Sequence, residues 1–198
     1  MSDELPEPTD GLDRVYAADR AAWRSWLETH GETTPAVWLI FYKKAAGRPS
    51  ITWDEAVEEA LCFGWIDSKA KPIDDRRYMQ YFSPRKPRSV WSKVNKARLE
   101  RLIADGLMRE PGLRAIETAQ ANGSWSALDD VEALVIPEDL AAAFVATPGA
   151  GDKFNRFSRT TKRNILQWVA TAKRPETRAK RIAETAAAVD QGRAPGRF

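Results

Sequence analysis

The sequence predicts an α+β protein: a small antiparallel sheet of about three strands packed with helices, followed by a mostly helical C-terminal half. Three observations predict it. Residues 36–42 (Ala-Val-Trp-Leu-Ile-Phe-Tyr) are one unbroken run of β-branched and aromatic residues behind Pro35, the pattern of a strand covered on both faces. Residues 65–69 and 77–82 are extended segments around the turn-rich Lys71-Pro72-Ile73-Asp74-Asp75, which predicts an antiparallel hairpin beside that strand. Beyond Pro84 and Pro87, apolar residues recur at helical spacing.

In chain order, Asp19 is an N-cap for a helix through His30, with Trp23, Trp26 and Leu27 on one face and Gly31 as its stop. After the central strand, Gly47, Pro49 and Ser50 make a turn. Thr52-Trp53-Asp54-Glu55 is a capping box that opens a helix with Ala56, Val57, Ala60 and Leu61 inward, stopped by Gly64. Downstream of the hairpin, Ser89 or Ser92 caps a helix carrying Val94, Leu99, Leu102 and Ile103, ended by Gly106. The next runs over about 111–121 with Leu113 and Ile116 inward. Pro137 opens a helix whose face is Leu140, Phe144 and Val145, closed at Thr147-Pro148-Gly149. Ser158 caps a helix with Ile165, Trp168, Val169 and Ala172 inward, and Pro175 opens the last, through Ile182, Ala183, Ala186 and Val189. Residues 1–130 thus read as an α+β module with the hairpin and a basic loop, and 131–198 as a helical module packed with it in one globule. The Gly, Pro and Arg tail over 191–198 is expected to fray.

Composition excludes several chemistries. The 198 residues hold one His and one Cys, so neither a disulfide nor a zinc tetrad is available, and no metal or cofactor is expected. There is no 18-residue apolar run and residues 1–10 are acidic, which predicts a cytoplasmic protein without membrane insertion. The net charge of +3 conceals blocks. Residues 1–75 hold 8 basic and 15 acidic side chains, 76–114 hold 11 and 3, 115–152 hold none and 7, and 153–181 hold 10 and 1. Such alternation means either that opposite blocks pair within the fold or that the basic ones meet an anionic partner.

Chemistry-bearing residues concentrate between 62 and 96. Arg85, Lys86 and Arg88 precede a helix start whose backbone N–H groups and cap candidates Ser89 and Ser92 suit a carboxylate or phosphate. The alternative is that the serines only cap and the cations pair with Asp67, Asp74 and Asp75 or stay solvated. Of the eight tryptophans, Trp23, Trp26, Trp38 and Trp168 fall on core stripes, while Trp65 and Trp91 border the basic loop, where a ring belongs either to the core or to the wall of a cleft. Cys62 reads as a small buried side chain, with a nucleophile as the alternative. His30 reads as structural, and Asp54, Glu55, Glu58 and Glu59 as a solvated acidic edge.

A family resemblance runs through the same residues. Val37-Trp38-Leu39, Lys43-Lys44, Glu55-Ala56, the run Glu59-Ala60-Leu61-Cys62-Phe63-Gly64-Trp65-Ile66-Asp67-Ser68, Phe82-Ser83-Pro84-Arg85, Ser89-Val90-Trp91-Ser92 and Asn95-Lys96 resemble the YdeI/OmpD-associated, or bacteriocin-protection, family. So do Phe154, Ser158, Trp168, Ala172-Lys173, Glu176-Thr177-Arg178 and Lys180-Arg181-Ile182. The resemblance spans about Tyr16 to Gly192. It implies a cytosolic bacterial α+β protein associated with stress or bacteriocin resistance, and no reaction or catalytic residue.

The expected function is therefore a non-enzymatic protein that binds a small anionic ligand or a protein partner. Its cleft would be walled by Trp65, Tyr81 and Trp91, charged by Arg85, Lys86 and Arg88, and supplied with hydrogen bonds by Ser89, Ser92 and Asn95, with Asp67 orienting Arg85 or a ligand hydroxyl. The alternatives are nucleic-acid binding through the blocks 76–114 and 153–181, and an enzyme using Cys62 or Asp67.

Overall fold

The structure, a computed structural model, describes residues 11–195, so the acidic residues 1–10 and part of the expected frayed tail lie outside the described residues. The chain forms two compact units. The first comprises residues up to Ser89 together with Val94–Gly123, and the second comprises Val90–Lys93 together with residues from Ser124 onward.

The first unit is built on a four-stranded mixed sheet, ordered β1-β2-β4-β3. Its strands are β1 (Arg14–Tyr16), β2 (Val37–Tyr42), β3 (Trp65–Pro72) and β4 (Arg77–Pro84). The hairpin β3/β4 pairs antiparallel with β2 through β4, and β2 is central as expected. The sheet is not wholly antiparallel, because β1 pairs parallel with β2, Arg14 opposite Trp38 and Tyr16 opposite Ile40. Three residues paired on one side leave no periodicity long enough to read.

Alternation along β2 gives the sheet two faces. Val37, Leu39 and Phe41 share one face with their β4 partners Phe82, Gln80 and Tyr78. Helices α1 (Arg20–His30) and α2 (Trp53–Cys62) cover it: the Trp23 ring lies 5.5 Å from Phe82, and its indole N–H donates to the Ala56 carbonyl at 3.1 Å. Trp38, Ile40 and Tyr42 share the other face with Tyr81, Met79 and Arg77. Asp19 caps α1 by accepting from the Ala22 N–H at 2.9 Å, and the Thr52/Glu55 capping box closes on α2 as its spacing predicts. Helices α3 (Lys93–Ala104) and α4 (Glu110–Ala121) complete this unit. Helix α3 buries Leu99 and Leu102, but Val94 and Ile103, expected inward, are 60% and 50% exposed, as is Leu113 of α4 at 39%.

The second unit is helical: α5 (Asp129–Glu132), α6 (Glu138–Val145), α7 (Ala150–Asn155), α8 (Arg159–Ala170) and α9 (Pro175–Asp190). Its core joins Leu140 and Phe144 of α6, Phe154 of α7, Ile165, Leu166 and Val169 of α8, and Ile182, Ala186 and Val189 of α9. Ser158 caps α8 by accepting from the Thr161 N–H at 3.1 Å. Val145, expected on the buried face of α6, is 85% exposed, and the one-turn elements α5 and α7 were too short to show a repeat. Among the described residues no helix is long and apolar enough to cross a membrane.

Candidate functional site

Asp67 pairs with Phe82 and so lies on the helix-covered face; a β-bulge follows it, between Asp67 and Ala70. There the Asp67 carboxylate accepts from the Trp53 indole N–H at 3.1 Å and from the Gln80 amide at 2.9 Å. Gln80 is buried at 6% exposure, and its amide also donates to the Ser68 carbonyl at 3.2 Å. The amide nitrogen of this buried residue thus finds both acceptors within the hairpin that carries it, as burial of a polar group demands.

Arg85 follows β4 directly and is pinned by its backbone N–H to the Gly64 carbonyl at 2.8 Å. Withdrawal of its guanidinium from water pulls its pKa down to about 10, against the attraction of the nearby Asp67 carboxylate. A rim surrounds the cluster: Arg98 lies 5.2 Å over the Trp53 ring, donates to Asn95 at 3.2 Å and pairs with Asp54. Trp53 is 39% exposed, so one wall of this cluster faces solvent.

The expected cleft is only partly assembled. Arg85, Asp67 and Asn95 contribute to the cluster or its rim, but Trp65 and Trp91 are each 1% exposed and offer no wall. Trp65 packs edge-on against Trp26 at 5.9 Å and donates to the Gly31 carbonyl at 3.0 Å, while Trp91 lies 5.3 Å from Trp125 in the second unit. Tyr81 stands on the opposite sheet face, edge-on to Trp38 at 5.3 Å, because adjacent strand residues point to opposite sides. Lys86 and Arg88 are exposed in a turn closed by the Ser89 N–H on the Lys86 carbonyl at 2.9 Å. Helix α3 begins at Lys93, so Ser89 is not its cap and the basic loop does not abut its N-terminus; Ser92 immediately precedes it, within the second unit. Trp53, Gln80 and Arg98 were missed. Trp53 was visible at the capping box, but nothing local marks a strand glutamine or a mid-helix arginine as members of a cluster.

Glu58 and Glu59 also depart from expectation. The Glu59 side chain is 2% exposed, bonded to Arg20 and, at 2.6 Å, to Arg24; that of Glu58 is 13% exposed and meets Arg20 at 3.0 Å and also Arg101. They tie α1 and α3 to α2 and are no solvated edge. The blocks of charge pair widely inside each unit. Asp54, Glu58, Glu28 and Glu32 take Arg98, Arg101, Arg109 and Arg114, and in the second unit Glu132 and Asp139 take Arg163 and Arg178.

Cys62 is fully buried, and burial together with the Glu59 charge lifts its thiol to about 11, against the pull of Arg24 and Arg20. The thiolate needed for nucleophilic attack is unfavourable there. An unfolded thiol ionises near about 8.5. Between that pH and about 11 the unfolded state binds fewer protons than the folded one, so stability falls as pH rises. The thiol's share of that loss is on the order of 3 kcal/mol at about 1.4 kcal/mol per pKa unit. Urea unfolding at pH 8 and pH 10.5 checks it: Cys62→Ala should lose measurably less stability over this interval than the wild type, and equal losses would refute the assignment.

Fold and site together define a two-unit α+β protein with an interior acid, amide and guanidinium cluster in its first unit. The chain belongs to the family described as Domain of unknown function (DUF8412), whose model matches residues 15–115, just over half its length. Residues 133–192 match a second family model, Bacteriocin-protection, YdeI or OmpD-Associated. The resemblance to bacteriocin-protection proteins is thus supported in the helical unit, whereas most of the residues that suggested it farther upstream lie in the other family's match. No curated protein and no solved structure matches this chain.

Proposed function

We propose that the protein is a non-enzymatic, cytoplasmic binding protein associated with stress or bacteriocin resistance, and that it takes a small oxyanion, a phosphate or carboxylate group, on Arg85. What supports this reading is the burial of the Arg85 guanidinium within the field of Asp67, whose carboxylate is bonded to the partly exposed Trp53. A planar guanidinium matches an oxyanion with two parallel hydrogen bonds, and the bonds are stronger where water is scarce. The Asp67 charge favours the protonated guanidinium against its burial, while Trp53 gives the ligand an apolar edge. The pairing of Arg98, Arg101, Arg109, Arg114, Arg163 and Arg178 with carboxylates argues against the blocks 76–114 and 153–181 as nucleic-acid surfaces. The raised Cys62 thiol argues against an enzyme built on it.

Thermal unfolding with inorganic phosphate tests the proposal. A site with a Kd of about 0.1 mM gains roughly 2.7 kcal/mol at 10 mM ligand, a rise in Tm of about 5 °C or more for a chain of this size. Arg85→Gln should abolish the rise and Lys86→Ala should keep it. An equal rise in Arg85→Gln and wild type would overturn the assignment.

A further inference from the structure

The second unit holds an open groove of about 380 Å³ where α7 meets the end of α9, lined by Lys153, Arg156, Phe157, Asp190, Gln191 and Gly192. All six residues belong to that unit. The apolar part of the lining is Phe157, which is half-buried, packs on the helical core and stands edge-on to Phe154 at 6.4 Å. The core therefore fixes this ring and leaves part of its surface to the groove.

The polar part is richer in donors than in acceptors. Lys153 Nζ donates to the Asp190 carbonyl at 2.5 Å and to its carboxylate at 2.9 Å, which neutralises the electronegative end of α9. The Gln191 side-chain oxygen accepts from Arg193 Nε at 2.9 Å, so the amide N–H groups are what this side chain has left to offer. Arg156 caps α7 by its backbone, donating to the Lys153 carbonyl at 3.2 Å, while its exposed guanidinium has no hydrogen-bond or ion-pair partner among the described residues. Arg163 and Arg178 of the same unit, by contrast, are taken by Glu132 and Asp139. Lys153, Arg156 and the adjoining Arg193 thus face a single lining carboxylate, Asp190, and Lys153 already holds it.

From this juxtaposition we propose that the groove binds a small organic oxyanion, a carboxylate or phosphate monoester carried on an apolar ring, with the oxyanion on Arg156 and the Gln191 amide and the ring on Phe157. The planar guanidinium matches either oxyanion with paired hydrogen bonds. A fixed aromatic ring receives a second ring offset or edge-on. An inorganic anion would use the cation and leave Phe157 idle, and a neutral aromatic would leave the guanidinium idle. The volume stands at the lower end of small-molecule sites, which suits a ligand of one ring. This groove is in the other unit from Arg85 and does not depend on the oxyanion site there.

The test is the side-chain NMR spectrum of the full chain labelled with 15N-arginine, titrated separately with phenyl phosphate, benzoate and inorganic phosphate at constant ionic strength. The Arg156 Nε–H resonance, assigned by its loss in Arg156→Gln, should shift saturably with phenyl phosphate or benzoate. A Kd on the order of 1 mM is expected for about ten heavy atoms in an open site. The tighter of the two tells a phosphate monoester from a carboxylate. Inorganic phosphate should bind at Arg156 at least fivefold more weakly than phenyl phosphate, since burying about 40 Å² of ring is worth roughly that factor. Phe157→Ala, its fold confirmed by circular dichroism, should remove this advantage, and Arg85→Gln should leave the Arg156 titration unchanged. An Arg156 resonance that stays fixed to 20 mM of both organic anions, one that moves only in step with exposed Arg88, or equal affinity for phenyl phosphate and inorganic phosphate would each overturn the proposal.

Discussion

Glu59→Ala is expected to destabilise the protein by about 3 to 5 kcal/mol, the loss that follows when one partner is removed from a buried ion pair. Glu59 lies between two arginines of α1, and Arg24 also donates to the Leu107 carbonyl at 2.8 Å. Burial alone would lower the pKa of Arg20 and of Arg24; the bonds and charge of Glu59, helped by Glu58 at Arg20 and by Cys62 at Arg24, more than reverse this, and both stand raised. Without Glu59 the two guanidinium groups keep the cost of partial desolvation and lose most of the attraction that offsets it. Replacing all three groups, as Arg20→Met/Arg24→Met/Glu59→Leu, should recover most of the loss, because well-packed apolar groups can substitute for a whole buried ionic cluster. Urea unfolding followed by tryptophan fluorescence reads both. A loss below about 1 kcal/mol in Glu59→Ala would show that water reaches the cluster and that it does not tie α1 to α2.

Gly112→Ala should cost about 3 kcal/mol, at the upper end of overpacking penalties. A Cβ at Gly112 would stand 2.2 Å from the Cys62 carbonyl oxygen and 2.9 Å from that of Leu61, so α4 must lift off the end of α2. Both obstacles are backbone, and no side-chain rotation relieves them. The crossing is tight from the other side too. Gly64 has φ +74°, and a Cβ there would come within 2.7 Å of the Pro111 carbonyl oxygen. Because the Gly64 carbonyl holds Arg85, loosening this crossing should also weaken the response to phosphate. Gly151→Ala is the matched control: nothing lies within 4 Å of a Cβ there, and a helical glycine replaced by alanine should leave stability unchanged or raise it by about 0.5 to 1 kcal/mol. Equal Tm values for Gly112→Ala and wild type would refute the close contact.

The elements with strong local signals were legible in the sequence. The Asp19 cap, the Thr52/Glu55 box, the apolar run of β2 and the hairpin all stand where residue type and spacing put them, because each is determined by residues adjacent in sequence. What failed were inferences that need the third dimension. Trp65 and Trp91 border the basic loop in sequence, but both rings are buried at 1% exposure. Tyr81 is one residue from Phe82, yet strand alternation puts it across the sheet from Asp67. Arg85 was singled out for its company of cations, whereas its distinction lies in burial beside Asp67, which composition does not reveal. The pairing of charge blocks was legible as a possibility, but the partners of Glu58 and Glu59 depend on how α1 and α3 cross α2.

The central claim is that Arg85 receives an oxyanion. Its most direct test is the side-chain NMR spectrum of 15N-arginine-labelled protein during titration with inorganic phosphate at constant ionic strength. The account predicts that the Arg85 Nε–H resonance, assigned by its loss in Arg85→Gln, shifts saturably while that of exposed Arg88 barely moves. An Arg85 resonance that stays fixed to 20 mM phosphate, or that moves only in step with Arg88, would contradict it.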